Sequence, residues 1–246
     1  MVHHSSIKSP LLPTTTPSTI DENINNNDKT VYNAITFYQK MVPRDPHEIN
    51  RTATPLELLF DLTLVVSISI TSEQFTHLVL EGFNIDLAIF LFFATFSSNW
   101  MAWMDFTWFL TAYDPDDVFF RIGTLGQILG ILTIGTGVPS AFMFNFIQVL
   151  YGFILLRAFY VSFYLGRAAF EDSVNRIYNL RMIFLTTLVQ AGWYITSVYG
   201  PPTIEWTAST FVVLMFCEFF FPYISEIATP SPGRHPIHLG ERYGAL

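Results

Sequence analysis

The chain has 246 residues, of which 51% are hydrophobic and only 13% are charged, and its formal net charge is −8. Ordinary soluble domains carry about 25% charged residues, so this composition is typical of a protein embedded in a lipid bilayer. Nucleic-acid binding requires a basic surface, and we expect no nucleic-acid partner for so acidic a chain. The single cysteine, Cys217, cannot form an internal disulfide bond or a cysteine-based zinc site.

The N-terminal part of the chain differs sharply from the rest. Residues 1–30 are rich in Ser, Thr, Pro and Asn, and such a composition buries too little apolar surface to offset the entropy of ordering. The run Val31–Val42 is a candidate for a short interfacial helix. We interpret residues 1–54 as a polar, largely disordered segment and residues 55–246 as a membrane domain.

Long apolar runs dominate the chain after Pro55. A helix needs about 20 residues to cross a bilayer core, and the runs lack the alternation of membrane β-strands. Six runs are long enough, at 57–80, 86–110, 118–138, 141–168, 181–199 and 204–224. We therefore predict an all-α, polytopic transmembrane helix bundle with six spanning helices and the start of a seventh. Gly126 and Gly130 form a GxxxG step, for which we favour packing inside the bundle over dimerisation.

The positions of the basic residues predict the orientation. Cytoplasmic loops are enriched in Lys and Arg. A cytoplasmic N-terminus places ten of the twelve basic residues on the inner side: Lys8, Lys29, Lys40, Arg44, Arg51, Arg121, Arg167, Arg176, Arg181 and Arg234. We accordingly expect a multi-pass protein, in the plasma membrane, whose N-terminal segment is cytoplasmic.

Ionisable residues inside the apolar runs are the candidate functional residues, because a charge in the bilayer is costly and usually has a role. Arg157 is the clearest case, and an ion pair with Asp61 or with Asp105 would lower the cost of burying it. Glu57 and Asp61 share one helix face. The predicted cluster near the inner face comprises Glu57, Asp61, Asp105, Asp116, Asp117, Arg121, Arg157, Glu218, Glu241 and Arg242.

Two interpretations of this cluster remain open. It could be a structural network of ion pairs that fixes helix packing. It could instead form a pathway for protons or cations, or hold a polar substrate. His235, His238 and Glu241 have loose metal-ligand spacing without a further ligand cluster nearby, and we predict neither a metal site nor a cofactor.

Three blocks resemble the bacterial low temperature requirement A (LtrA) family. They are TPLELLFDLTLVVSIS at Thr54–Ser69, WMDFTWFLTAYDPDDVFFRI at Trp103–Ile122 and HPIHLGERYGAL at His235–Leu246. Leu59 stands where the family usually has Phe. The motif positions carried over are Glu57, Asp61, Asp116, Asp117, Arg121, His238, Glu241 and Arg242. The resemblance implies a polytopic membrane fold and a role in growth in the cold, and it implies further helices beyond Leu246, so we expect the domain to be incomplete there.

Three functions compete at this point. The first is a transporter or channel that moves an ion or small molecule and uses the buried charges. The second is a membrane sensor or stress-adaptation scaffold without transport activity. The third is a membrane-embedded enzyme acting on lipid, which ranks last because the sequence contains no HExxH or GxSxG motif and no Cys–His nucleophile pattern. The oligomeric state is left open.

Overall fold

In the part of the chain that the structure describes, six helices are joined by connections of four or five residues. The computed structural model describes residues 36–44, 54–113, 115–201 and 203–228, and for Ile204 and residues 226–228 only the backbone. The described residues from Phe37 onward belong to one compact unit. The helices are α1 (Pro55–Leu80), α2 (Ile85–Ala112), α3 (Val118–Ala141), α4 (Ile147–Glu171), α5 (Arg176–Tyr199) and α6 (Ile204–Ala228).

Five of these helices are long and apolar enough to cross a membrane: α1, α2, α3, α4 and the part of α6 from Glu205 to Ser225. α5 has 24 residues but falls outside this group, since polar residues such as Thr186, Thr187 and Gln190 are spread along it. The all-helical prediction is confirmed for the described residues, and five of the six predicted spans agree with it. A sixth span and the start of a seventh remain predictions, and the seventh lies outside the described residues.

Side-chain caps determine where the first three helices begin. Thr54 accepts a hydrogen bond from Glu57 N at 3.3 Å while the Glu57 carboxylate accepts from Thr54 N at 3.4 Å, which forms a capping box ahead of Pro55. Asn84 caps α2 through Leu87 N, and Asp117 caps α3 through Phe120 N. These polar residues stop the apolar runs from merging into longer helices.

The fourth helix starts later than predicted. The sequence suggested a start at residue 141, but α3 continues through Pro139 to Ala141 and a turn occupies residues 142–146. Phe144 adopts φ 65° in this turn. Because α4 begins at Ile147, Arg157 lies ten residues into it, near the middle of the helix.

α4 is not regular throughout. It is α-helical over Ile147–Phe159, π-helical over Tyr160–Gly166 and α-helical again over Arg167–Glu171. π-helical turns are rare and frequently lie at functional sites. This turn lies between two arginines, Arg157 and Arg167, that belong to different clusters described below.

Glycines bring α3 and α4 into close contact. A Cβ atom added at Gly130 would lie 2.8 Å from Leu156 N, and one added at Gly152 would lie 2.6 Å from Ile134 N. Small residues allow helix backbones to approach this closely in lipid. The interpretation of Gly126 and Gly130 as internal packing positions is confirmed, since both face α4.

The bundle has two ends, which we call lower and upper. The lower end carries Thr54 and the connections 113–117 and 172–175, and the upper end carries the connections 81–84, 142–146 and 200–203. Residues 37–44 run across the lower end without helical structure, so the predicted interfacial helix is wrong for this part of Val31–Val42. We call residues 37–44 the strap.

Candidate functional site: a buried charge cluster below an aromatic cavity

Three helices each contribute one charged side chain to a cluster in the interior. Arg157 of α4 donates from Nη1 to Asp105 Oδ2 of α2, and its Nη2 lies 3.4 Å from Glu218 Oε1 of α6. The side chains of Arg157, Asp105 and Glu218 are 7%, 11% and 6% exposed, respectively. We call these three residues the buried triad.

Aromatic rings complete the surroundings of the arginine. The Arg157 guanidinium lies 5.0 Å from the centroid of Phe153 and 5.9 Å from that of Tyr160. A cation over an aromatic face is attracted by the ring quadrupole, and the attraction grows when water is excluded. Arg157 is therefore stabilised as a cation from two sides, by carboxylates and by rings.

The triad contains two acids and one base. With all three groups ionised it carries one uncompensated negative charge, which is costly in a low-dielectric interior. Binding of one proton or one cation would remove this charge. The arrangement can thus exchange a positive charge with its surroundings, which a balanced ion pair cannot do.

Two buried atoms of the triad lack a hydrogen bond among the described residues: the donor Arg157 Nε and the acceptor Glu218 Oε2. Glu218 is the one whose unsatisfied atom is an acceptor. Its Oε2 is buried, as is the neighbouring Trp193 Nε1, and neither atom makes a hydrogen bond of normal geometry among the described residues. Pro222 lies four residues further along α6 and has no N–H, so the backbone carbonyl of Glu218 lacks its usual helical donor. Glu218 therefore combines an available carboxylate oxygen with a carbonyl released from the helix ladder.

A cavity of about 290 Å³ leads to Glu218. It lies between α2, α4, α5 and α6 and extends from the upper-end connections, at Phe144 and Pro201, down to Glu218. Phe144 holds a left-handed backbone conformation at this rim, which is unfavourable for a residue with a side chain and is often found at functional positions.

The wall of the cavity combines aromatic rings and hydroxyl groups. Phe90, Phe211 and Trp193 form a continuous row, with centroids 5.8 Å apart between Phe90 and Phe211 and 5.5 Å apart between Phe211 and Trp193. The hydroxyl-bearing residues that line it are Thr95, Ser98, Thr196, Ser197, Thr207 and Thr210. Such a wall suits an organic ligand held by a few polar groups.

A second group of charges lies at the lower end. Arg167 of α4 donates from Nη1 and Nη2 to the two carboxylate oxygens of Asp117 and from Nε to Glu171 at 2.7 Å. Burial raises the pKa of the Asp117 carboxyl, but hydrogen bonds from Arg167 and from backbone N–H groups outweigh burial and hold the pKa below its ordinary value. This group is ordered around a fixed ion pair.

Hydrogen bonds join the strap to this second group of charges. Gln39 N donates to Asp117 at 2.9 Å, Met41 N donates to Glu171 at 2.6 Å, and Arg167 donates to the Gln39 carbonyl. The Met41 side chain is 2% exposed and belongs to the hydrophobic core. The strap is therefore part of the folded domain.

The end of the strap is also tied to α2. Arg44 Nη1 donates to Leu110 O at 2.9 Å, and Arg44 N donates to Ala112 O at 2.8 Å. An isolated antiparallel bridge joins Pro43 to Tyr113. These bonds satisfy carbonyls at the end of α2 that have no partner within the helix.

A third polar group connects α2, α4 and α5. The Tyr113 hydroxyl donates to Asp172 at 3.0 Å and accepts from Asn179 Nδ2 at 3.0 Å, and Asn175 Nδ2 donates to Asp172 at 2.6 Å. Burial raises the pKa of the Asp172 carboxyl, but the hydrogen bonds from Asn175, Tyr113 and Val174 lower it more. Its pKa therefore lies below the ordinary value.

The structure separates the predicted site residues into several places. Asp105, Arg157 and Glu218 come together, so Asp105 takes the position beside Arg157 that the sequence left open between two candidates. Asp61 instead accepts a hydrogen bond from Trp103 Nε1 at 2.9 Å. Glu57 lies in the capping box of α1 and is 2% exposed.

The predicted residues near the start of α3 also lie in two different places. Asp116 and Arg121 form an exposed pair at 3.0 Å, whereas Asp117 turns inward to Arg167. Glu241 and Arg242, with His235 and His238, lie outside the described residues. Within the ranges that the structure describes, there is no group of three or more His, Cys, Asp or Glu side chains that could hold a metal ion.

Several contributors were missed by sequence reasoning. Arg167 was used only to predict orientation, although its position at the inner end of an apolar run is where a buried partner is expected. Trp193 lies near the end of a helix, where a tryptophan also suits an interfacial anchor, but it lies beside Glu218. Tyr113, Asp172 and Asn179 gave no signal, because their contacts join residues 59 and 66 positions apart.

Comparison with known proteins gives one match. The family model described as "Bacterial low temperature requirement A protein (LtrA)" matches residues 52–246. The searches of curated proteins and of solved structures gave no match.

Proposed function

Since the chain belongs to the bacterial low temperature requirement A (LtrA) family, we propose that it is a membrane transporter or channel-like protein in which a positive charge reaches the buried triad through the cavity. One observation carries this proposal: the cavity begins at the upper-end connections and ends on Glu218, whose buried Oε2 lies near Trp193 and makes no hydrogen bond of normal geometry among the described residues. A purely structural ion pair has no need of an open approach.

The sign of the transported charge follows from the triad. Two carboxylates face one guanidinium, so the site attracts a proton or a cation and repels an anion. The guanidinium keeps the two carboxylates close together without neutralising both. The single uncompensated negative charge allows a cation to bind and to leave, whereas a site with several uncompensated carboxylates would hold the cation too tightly.

The proposed orientation places the lower end in the cytoplasm of the cell and the upper end outside, in the plasma membrane. The support is the concentration of Lys and Arg at the lower end. The test uses a Cys217→Ser background with one new cysteine, either Lys40→Cys or Met143→Cys, both at exposed positions. An impermeant maleimide should label the Met143→Cys protein in intact cells and the Lys40→Cys protein only after permeabilisation; the reverse pattern would overturn the orientation.

Flux in liposomes tests the transport proposal. The purified full chain is reconstituted in liposomes that enclose a dye selective for H⁺, Na⁺ or K⁺, one ion in each experiment, and uptake is driven by a membrane potential. Glu218→Gln should reduce the flux at least about tenfold, because it removes a charge-assisted interaction worth about 1.5–3 kcal/mol. Glu205→Gln is the matched control, since it removes an exposed acid from the same helix outside the cavity wall. Equal flux for wild type and Glu218→Gln would sink the proposal.

A role in adaptation to cold or stress is the second proposal, and the lower-end network gives it specific support. The strap, α3 and α4 are joined there by charge-assisted hydrogen bonds. In a sensor or scaffold, a movement of the helices would therefore displace the strap. In cells lacking the gene, wild type and Glu218→Gln should both restore growth in the cold if the protein acts as a scaffold. Restoration by wild type alone would favour transport.

A further inference from the structure

We propose that the cavity binds a small organic ammonium ion with an apolar body, its charged group on Glu218 and its apolar part against the aromatic row. This inference rests on the proposed function, because it names the class of cation that would occupy the same site. It follows from the chemistry of the wall, the charge at the base and the volume.

The wall does not suit a bare inorganic cation. Such an ion gives up its hydration shell only where several oxygen atoms converge on it. Here the path to Glu218 is lined by the rings of Phe90, Phe211 and Trp193, which offer flat apolar faces. An alkylammonium group needs fewer oxygens, because its carbon-bound charge is attracted by aromatic faces as well.

The end of the cavity at Glu218 offers a negative charge for an ammonium group, and the aromatic and hydroxyl-bearing wall does not. Glu218 Oε2 is buried beside Trp193, whose N–H is the nearby donor, and it makes no hydrogen bond of normal geometry among the described residues. An ammonium N–H donating to this oxygen would satisfy it and would cancel the excess negative charge of the triad.

The remaining dimensions point to a small ligand. The cavity volume of about 290 Å³ lies at the lower limit of small-molecule sites, which begin near roughly 300 Å³. Hydroxyl groups such as those of Thr95 and Thr210 allow one or two further hydrogen bonds without demanding a charge. A one-ring amine fits this description, whereas a nucleotide or a lipid headgroup with two tails does not.

Equilibrium dialysis tests the inference with chemically defined probes. The full chain in lipid nanodiscs is titrated with radiolabelled 2-phenylethylamine and, separately, with its neutral analogue 2-phenylethanol. We expect the amine to bind at least about tenfold more tightly, since the two probes differ in the charge-assisted hydrogen bond. Equal affinities would overturn the inference.

Two variants locate the binding site. Glu218→Gln should weaken amine binding about 10-fold to 100-fold and leave alcohol binding unchanged, while the control Glu205→Gln should change neither. Trp193→Leu keeps every charge of the triad and should still weaken amine binding several-fold through the lost aromatic face. It keeps the inference testable if Glu218→Gln does not fold. Amine binding that survives both substitutions would overturn the site.

The liposome and dialysis experiments can each overturn one proposal without overturning the other. The liposome experiment is therefore repeated with radiolabelled 2-phenylethylamine. Specific amine binding without flux of the amine or of an inorganic cation would support the ligand class and remove the transport proposal. Flux of Na⁺ or K⁺ that requires Glu218, without amine binding, would support transport and overturn the ligand class.

Discussion

Arg167 holds Asp117 by two parallel hydrogen bonds, Nη1 to Oδ1 at 2.8 Å and Nη2 to Oδ2 at 2.5 Å, across 50 positions of sequence. Asp117 is also the N-cap of α3, so one carboxylate both starts a helix and binds the lower part of α4. Two-pronged contacts between arginine and a carboxylate combine strength with a defined geometry. The pair fixes the register of α3 against α4 at the lower end.

Loss of this pair should be costly. Asp117 is fully buried and the Arg167 side chain is 10% exposed, and removing one partner of a buried pair costs about 3–5 kcal/mol. We expect Arg167→Met to lower the free energy of unfolding by about 3 kcal/mol, measured by denaturant titration in detergent micelles. Arg121→Met is the matched control, since its pair with Asp116 is exposed and worth at most about 1 kcal/mol. Similar losses for the two variants would contradict this account.

The stability of the domain should fall in acid through Asp172. Its pKa is lowered in the folded state, so the unfolded chain takes up the proton first as the pH drops. The stabilisation is fully present above the unfolded pKa of about 3.9 and is lost as the pH falls through the folded value. Thermal unfolding measured between neutral pH and acid should show this loss.

Asp172→Asn should make the melting temperature less sensitive to acid and lower it at neutral pH, because Tyr113 and Asn175 lose a charged acceptor. Glu205→Gln, which removes an exposed carboxyl, serves as the control and should keep the wild-type acid dependence. An Asp172→Asn protein with an unchanged slope would show that other groups control the acid transition.

Because α3 packs closely on α4, we expect alanine at Gly130 to destabilise the protein, which is the reverse of its usual effect in a helix. Alanine normally stabilises a helix interior by about 1 kcal/mol relative to glycine. At Gly130 the added Cβ would lie 2.8 Å from Leu156 N and 2.9 Å from Gly152 O, so Gly130→Ala should destabilise the protein by about 1–3 kcal/mol. Leu132→Ala, at a position 44% exposed on the same helix, is the control for helix-wide effects. A more stable Gly130→Ala protein would mean that the helices are further apart.

The strap should behave as an ordered part of the domain. Hydrogen exchange should show protection at the Gln39 and Met41 amides, which donate to Asp117 and Glu171. Met41→Ala removes a core side chain and should raise exchange at both amides about tenfold or more, since such truncations cost about 2–5 kcal/mol. Val42→Ala, at a side chain 63% exposed, should leave both protected. Fast exchange at both amides in the wild-type protein would contradict the strap contacts.

The sequence was informative where one residue type carries an energetic penalty on its own. Long apolar runs placed each helix to within a few residues at most ends, and Arg157 stood out because a charge in such a run is expensive. The late start of α4 was not predictable from Pro139, because a proline near the end of a helix does not always stop it. The predicted single cluster included too many residues. Glu57 instead belongs to the capping box of α1, and Asp116 lies in an exposed ion pair.

The cavity is the part that no local pattern could indicate. Trp193 and Glu218 belong to different helices, and their proximity depends on how α5 and α6 rotate about their axes. Tryptophan near a helix end fits an interfacial anchor equally well. Similarly, the choice between Asp61 and Asp105 as partner of Arg157 depended on rotation of α1 against α2, which sequence spacing leaves undetermined.

The π-helical turn at Tyr160–Gly166 sets the directions in which the two arginines of α4 point around the helix axis. Its i→i+5 bonds form wider rings than those of an α-helix, so residues beyond it are displaced around the helix axis from the positions that a regular helix would give them. Arg157 can thereby face Glu218 while Arg167 faces Asp117. If this turn became α-helical with no residue deleted, the lower part of α4 would rotate by about 100°, and one of the two arginines would then have to leave its carboxylate. Deleting one residue from the turn would compensate for that rotation.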